Sequence, residues 1–497
     1  MSDSSNEPLR FTGLLDSVLL GLLALILRLP AFFSERHLTF DDGVFASSAL
    51  AIRDGGVPFR DVFSSQGPLF LPLVAVGDFV GFHKLNSPRV LAVVSGIAIV
   101  VGIYWTALRM TDRLGALVAA VLAATSGSLL WVTGPLAADG PALAFAVLAV
   151  LLSLRQRDRP TYPNSVLLGL AVGATLSTKA MEAPILIVVG LVLLAPLVAQ
   201  AKQRRLAATA LLQGLVVVAS AAALFALISA PFGFAAVWDQ SFVYRTAAST
   251  NRDIPANAAK LVSTLWDRDL VLLLFAIVTL ITALWARFGS GPRREVAVDG
   301  TSPAVGTTPS SRLLMAAWAV GSALWLIVVV SPLWRPHISA MIPPLALLIG
   351  IYRPPLRVTA VTGVLCIPLL FLQLNEIILP GAYTGTEAQV VQAIQDLPKG
   401  AWVLSDEPGL VWRAGKRTSD DLVDPSMLRV QQGRYTEDSL AEAARDPRVC
   451  AVVVRSNQRF GSFPGLPDKL ENEGYVVTAE SSSAAGLERM FIRSSCR

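Results

Sequence analysis

The chain is 497 residues long, 53% hydrophobic and only 15% charged, with a mean hydropathy of +0.58, which is too apolar for a soluble protein of ordinary composition. Its formal net charge of +5 and sequence pI near 9.2 come from basic residues scattered in short clusters between apolar runs. That is the distribution of membrane topology signals, and it excludes nucleic acid as a partner.

The first apolar run, residues 14–33, is long enough to cross a hydrocarbon core of about 30 Å, and Arg28 near its far end is expected to snorkel to the interface. It lacks a small-residue cleavage site and reads as a retained span. Just beyond it stands Phe40-Asp41-Asp42-Gly43, two adjacent acids at the mouth of a membrane helix. Two readings are open: catalytic carboxylates, or acids capping a helix over Ala46–Arg53.

Further apolar stretches fall near 90–108, 114–131, 140–154, 165–178, 183–200, 206–230, 269–286, 313–331, 338–351 and 358–379, about eleven spans in all. Short basic loops, among them Arg109 with Arg113, Arg155-Gln156-Arg157 and Arg353 with Arg357, share one side, which the positive-inside rule makes cytoplasmic. The amino terminus is then inside. Asp41, Asp42, Asp139, Lys179, the loop 231–268, Arg335 and His337 all face outward, at a membrane boundary and not at the midplane where a carrier keeps its ionisable groups.

Residues 289–311 read as a flexible cytoplasmic connector. After Pro380 the composition turns soluble, and strand-like runs at Ala401–Leu404, Ala451–Val454, Tyr475–Val477 and Met490–Arg493 alternate with helical stretches such as Glu387–Gln395 and Ser439–Ala444. The division expected is a membrane domain over 1–380 and an extracytoplasmic α/β domain over 381–497. An oxidising compartment permits a disulfide between Cys450 and Cys496, although two cysteines alone fix no geometry. Cys366 reads as a membrane-core cysteine.

The first outer loop, roughly 34–89, carries Asp41-Asp42-Gly43-Val44-Phe45, then Gly56-Val57-Pro58-Phe59-Arg60-Asp61, then Gly67-Pro68-Leu69. This series resembles the first outer loop of the GT-C membrane glycosyltransferases, particularly the bacterial branch of aminoarabinose transferases and protein O-mannosyltransferases. There an acidic pair, a Gly-x-Pro-aromatic-x-Asp turn and a Pro-Leu step follow in the same order. The chain departs from the pattern at Asp42, more often Glu, and at Gln66-Gly67, often a basic residue and a second Pro. Asp139 before Gly140-Pro141, Ser177-Thr178-Lys179, and Trp334-Arg335-Pro336-His337 before Pro343-Pro344 extend the resemblance over most of the membrane portion.

The resemblance implies a polytopic α-helical GT-C fold in the plasma membrane and an inverting transfer of sugar from a polyprenyl-phosphate donor to a glycan, lipid or protein acceptor. An acceptor hydroxyl needs a positioned base, and a departing phosphate needs neutralised charge. Asp41 is the implied base, with Asp42 beside it orienting the acceptor or a cation. Asp139, Lys179, Arg335, His337, Asp61 and Gln66 form the implied donor- and acceptor-binding set. Whether Asp41, Asp42 and Asp139 hold a divalent cation such as Mg or Mn, or act without metal, is left open by carboxylates alone. Each residue also has a plain structural reading: Lys179 as a snorkelling helix end, Arg335 and His337 as span anchors, Asp139 as a cap, and Glu182 as a structural acid. Trp238, Tyr244, Arg245, Asn251, Arg252 and Asp253 read as an outer cap or a lid. A lipid-linked sugar carrier or a noncatalytic cell-wall assembly protein are the competing functions. The weight of arginine over lysine, with abundant alanine, valine and leucine, suggests an actinobacterial type of genome.

Overall fold

The structure is a computed structural model that describes residues 7–199, 203–244, 246, 253–288, 310–483 and 486–497. The chain forms α1 (Glu7–Phe33), then two shorter helices, α2 (Phe40–Arg53) and α3 (Phe70–Val80). A helical bundle follows, with α4 (Val90–Leu108), α5 (Arg113–Ala124), α6 (Gly127–Thr133), α7 (Asp139–Asp158), α8 (Tyr162–Thr178), α9 (Ile185–Ala199) and α10 (Arg204–Ser229). A short α11 (Phe234–Trp238) leads on to α12 (Ile254–Phe288), α13 (Ser311–Leu324), α14 (Ile342–Ile351) and α15 (Leu356–Ile378).

Among the described residues, seven helices are long and apolar enough to span a membrane, and α5 with α6, bent by 60° at their junction, make an eighth only when the pair is counted as one span. The other three expected spans are shorter, with 17 residues in α8, 15 in α9 and 10 in α14. At about 1.5 Å rise per residue, α14 reaches roughly half a hydrocarbon core. The stretch before it, Arg335–Met341, is wound as a 3₁₀ helix with a proline in its first turn, and Pro343-Pro344 opens α14 itself.

Three local expectations need correction. Arg28 does not snorkel. It is fully buried, and its Nε donates to Thr133 Oγ1 at 2.8 Å while Nη1 donates to the Ala24 carbonyl at 2.9 Å, so it ties α1 to the end of α6. Helix α2 begins at Phe40, not Ala46, because Thr39 is the N-cap and accepts from the Asp42 N–H at 3.1 Å. The expected loop 231–268 is helical from Ile254, whose start is capped by Asp253 accepting from the Ala256 N–H at 2.9 Å, with a break at Asp269. Arg245, Asn251, Arg252 and most of the connector 289–311 lie outside the described residues.

The carboxy-terminal part is a four-stranded sheet, in the order β1 (Trp402–Ser405), β2 (Val449–Val454), β4 (Gly486–Arg493), β3 (Tyr475–Ser483). The β1–β2 pair is parallel and the other two pairings are antiparallel. Alternation along β2 sends Ala451 and Val453 into one apolar layer and Val452 and Val454 into the other. Cys450 and Cys496 are joined as a disulfide, with Cα atoms 5.6 Å apart.

This domain sits on α2. Gly43 packs on the Gly409 backbone: a Cβ on Gly43 would lie 2.5 Å from the Gly409 main chain, and one on Gly409 would lie 2.3 Å from the His37 ring, so neither position has room for a side chain. Arg413 donates to the Ser34 carbonyl and to Asn86 Oδ1, both at 2.6 Å, and Trp412 Nε1 donates to the Leu85 carbonyl at 3.0 Å. Val423 is buried with Val44, Phe45, Phe70, Leu71 and Leu136, so α2, α3 and the segment before α7 share one small core with the carboxy-terminal part.

Candidate active site

Successive residues on a helix point about 100° apart, and the first turn of α2 separates its two acids on that account. Asp41 shares a face with Val44 and Phe45 at i+3 and i+4, and all three line a cavity of about 520 Å³. Asp42 turns the other way and is fully buried. Its Oδ1 accepts from Arg89 Nε at 3.1 Å and from the Leu136 N–H at 2.9 Å, while Oδ2 accepts from Arg89 Nη2 at 2.5 Å and from the Leu38 N–H at 3.0 Å. Burial works to raise its pKa, yet the Arg89 charge and these four donors outweigh burial and hold the carboxyl below the usual carboxylate range. Arg89 also donates to the carbonyls of Ala31, Ser34 and Arg36 at 2.8, 3.1 and 2.7 Å. Asp42 is thus committed to holding the loop together and does not face the cavity.

Lys179 ends α8 in an extended conformation and lines the same cavity. Its Nζ lies 2.6 Å from Oδ2 of Asp139, the first residue of α7, and both side chains are buried. Asp139 stands behind the lysine and is not part of the cavity wall. The first loop reaches this point because the Gly67 N–H donates to the Thr178 carbonyl at 3.1 Å and the Leu69 N–H to the Ser177 carbonyl at 2.8 Å. A Cβ on residue 67 would fall 2.2 Å from the Ser177 oxygen, so only glycine permits the approach. That approach puts Gln66 in the cavity wall beside Lys179. Glu182, three residues on, is buried, and burial together with the Asp139 charge pushes its carboxyl up to about 8 against the pull of Lys179.

In a 3₁₀ helix, residues three apart eclipse each other, so Trp334 and His337 present one face and Arg335 another. Trp334 and His337 line the cavity, whereas Arg335 is half exposed and pairs with Asp267 at 3.1 Å. The expected cation at Arg335 is therefore not brought to the site. Nor is Asp61, which pairs with its neighbour Arg60 at 2.9 Å and closes its own turn by accepting from the Val57 N–H at 2.9 Å. With Asp42 bound to Arg89 and Asp139 to Lys179, the three acids considered for a metal do not converge. Among the described residues no group of three His, Cys, Asp or Glu side chains is placed to ligate one. The donor set does not fit a divalent ion.

A second cavity of about 950 Å³ adjoins the first, lined mostly by apolar side chains of α8, α9 and α10 with Trp238, Phe242 and Trp325. The two share Trp334, His337 and Leu428. The first cavity, the more polar of the two, is closed by the carboxy-terminal part, which contributes Asp424, Ser426, Leu428, Ser456, Gln458 and Arg459. Sequence reasoning missed these residues because they lie in loops whose placement depends on long-range docking. It did single out Tyr244, whose hydroxyl meets Ser426 Oγ at 3.1 Å in the same wall.

A helical bundle with helical insertions after its first long helix, a cavity at one end and a docked α/β part is the GT-C fold. The solved structures agree. ArnT from Cupriavidus metallidurans matches with a TM-score of 0.62 at 14% identity over 98% of both chains, and the same protein bound to undecaprenyl phosphate with 0.61 at 14% over 95% of this chain and 97% of that one. Archaeal oligosaccharyltransferase AglB from Archaeoglobus fulgidus, in complex with an inhibitory peptide and a dolichol-phosphate, matches with 0.55 at 12% identity over 97% of this chain and 74% of its own. Residues 75–242 match the family described as dolichyl-phosphate-mannose-protein mannosyltransferase, a segment that includes Asp139 and Lys179 but not Asp41. No curated protein sequence matches the chain.

Proposed function

We propose that the chain is an inverting glycosyltransferase that moves a sugar from a polyprenyl-phosphate donor to a hydroxyl-bearing glycan, lipid or protein acceptor at the outer face of the plasma membrane. One observation carries the reading: an apolar groove and a polar cavity meet at Trp334 and His337, with Asp41 and Lys179 in the wall of the polar one. A lipid tail suits the groove, and its phosphate then arrives beside Lys179 and His337. That the solved structures include ArnT bound to undecaprenyl phosphate and AglB in complex with a dolichol-phosphate supports this choice of donor.

The chemistry follows from the groups present. An acceptor hydroxyl is a poor nucleophile until a carboxylate takes its proton, and Asp41, half-buried at the start of α2, is that base. The ammonium of Lys179 stabilises the charge that builds on the leaving phosphate, held by Asp139, while Gln66 and His337 offer polar contacts to phosphate or sugar. Attack from the side opposite the phosphate inverts the anomeric carbon. The disulfide in the carboxy-terminal part suits an oxidising compartment and supports its placement outside the cytoplasm, and an odd number of spans then leaves the amino terminus inside. Lipid-linked mannose or arabinose are the donors to try first. The reading is tested by supplying each to the purified chain in nanodiscs and searching by mass spectrometry for free polyprenyl phosphate together with a glycosylated acceptor. Transport of intact lipid-linked sugar with neither product formed defeats it.

A further inference from the structure

The groove and the cavity share Trp334, His337 and Leu428, whereas Ser456, Gln458 and Arg459 line the cavity alone, with Leu38, Phe40 and Asp41. The cavity thus has a donor side, where the lipid groove opens, and a second wall built jointly by the start of α2 and one loop of the soluble domain. That loop is held firmly. Asp406, at the end of β1 and fully buried, accepts from the N–H groups of Arg455 at 2.8 Å, Ser456 at 2.9 Å and Phe460 at 3.3 Å. The guanidinium of Arg459 is held by Glu407 Oε2 at 2.7 Å and lies over the ring of Phe40 at 4.5 Å, next in sequence to Asp41. Glu407 is anchored in turn by His37 Nε2 at 3.3 Å.

An arginine whose charge is balanced by a carboxylate still has N–H donors to spare, presented as a rigid planar fork. Flanked by a serine hydroxyl and a glutamine amide, it offers donors and acceptors at close spacing with little net charge, and the aromatic side chains Trp131, Trp334 and Tyr244 line the same cavity. That chemistry recognises a ring with several hydroxyls and has no surplus charge for an anion. Resting on the transferase reading above, we propose that the Ser456–Arg459 loop is the acceptor half of the site and that the acceptor is a carbohydrate, held by Arg459 with a hydroxyl directed at Asp41. Arg459 is a specificity-determining residue supplied by the soluble domain, and Asp406 and Glu407 position it.

The test uses the full chain in nanodiscs and two probes: undecaprenyl phosphate for the donor side, and a panel of methyl mannosides, methyl arabinofuranosides and their short oligosaccharides for the acceptor side. Glycan contact is read by saturation-transfer NMR and lipid-phosphate binding by tryptophan quenching. R459A and R459K are expected to lose glycan binding at least about tenfold, lysine failing because it lacks the planar fork, while undecaprenyl phosphate binding changes less than about twofold. Q458A, at an exposed position with no packing to lose, is expected to weaken the same glycan and leave the lipid alone. Equal loss of both probes in folded R459A assigns the wall to the donor and overturns the proposal, as does unchanged glycan binding. A wild-type chain that binds undecaprenyl phosphate but no glycan refutes the carbohydrate acceptor and spares the transferase. One that binds no undecaprenyl phosphate refutes the transferase reading itself.

Discussion

Lys179 Nζ and Asp139 Oδ2 lie 2.6 Å apart, with both side chains buried, and join the end of α8 to the start of α7 at the rim of the polar cavity. Removing one partner of such a pair strands a buried charge, which costs about 3–5 kcal/mol, while replacing both costs far less. K179M and D139N are each expected to lower the thermal midpoint in detergent strongly, and D139N/K179M to be more stable than the sum of the two losses allows. Strict additivity in the thermal unfolding series contradicts a coupled pair.

Asp42 and Asp41 are expected to fail differently. Asp42 binds Arg89 in the interior, so D42N should reduce the yield of folded protein, again by about 3–5 kcal/mol of stability. D41N, at a half-buried position in the cavity wall, should lose clearly less yield and midpoint than D42N. Fluorescence size-exclusion profiles of the two variants separate these outcomes, and a D42N chain as stable as wild type shows that the Arg89 pair does not hold the loop.

Glu182 sets an alkaline limit. With its carboxyl pushed up to about 8 by burial and by Asp139, it is mostly neutral at pH 7 and ionises above pH 8, adding negative charge behind Lys179 and weakening the positive field that Lys179 presents to the donor phosphate. Donor binding by the wild-type chain should fall as pH rises past 8, and E182Q should lose that limb while matching wild type at pH 7. Identical profiles for both chains remove Glu182 from the account.

Glu407 sets an acid limit on the docking of the soluble domain. Burial works to raise its pKa, but the His37 hydrogen bond and charge, with Arg459, win and hold it at about 2. Because the folded value lies below the unfolded one, the stabilisation is present above about pH 4.5 and is lost as pH falls toward 2, about 3 kcal/mol in all. Protease sensitivity of the interface near Trp412 should rise over that window, and E407Q should show the raised sensitivity already at neutral pH without the slope. A pH-independent interface in the wild type speaks against the pairing.

Of about eleven expected spans, seven or eight were legible among the described residues, with the loop motifs, because hydropathy and the order of Asp41, Gly67, Asp139 and Lys179 are properties of the chain itself. The direction of each side chain was not. That Asp41 faces the cavity and Asp42 the interior depends on α2 starting at Phe40, which Thr39 decides by capping. That His337 rather than Arg335 reaches the cavity depends on a 3₁₀ turn whose cue was Pro336. Arg459 had no local signal, because it enters the site only after the Gly43–Gly409 contact has docked a domain that begins more than three hundred residues after α2. Arg28 looked like an interfacial residue by position and is an interior one, where Thr133 and the Ala24 carbonyl take two of its three nitrogens and Nη2 is left without a hydrogen-bond partner.

The most direct measurement of the central claim is single-turnover sugar transfer by D41N in nanodiscs, with undecaprenyl phosphate binding recorded on the same sample. Loss of a general base predicts a rate lower by roughly 10²–10⁴-fold with lipid-phosphate affinity unchanged. Transfer by folded D41N at the wild-type rate contradicts Asp41 as the base.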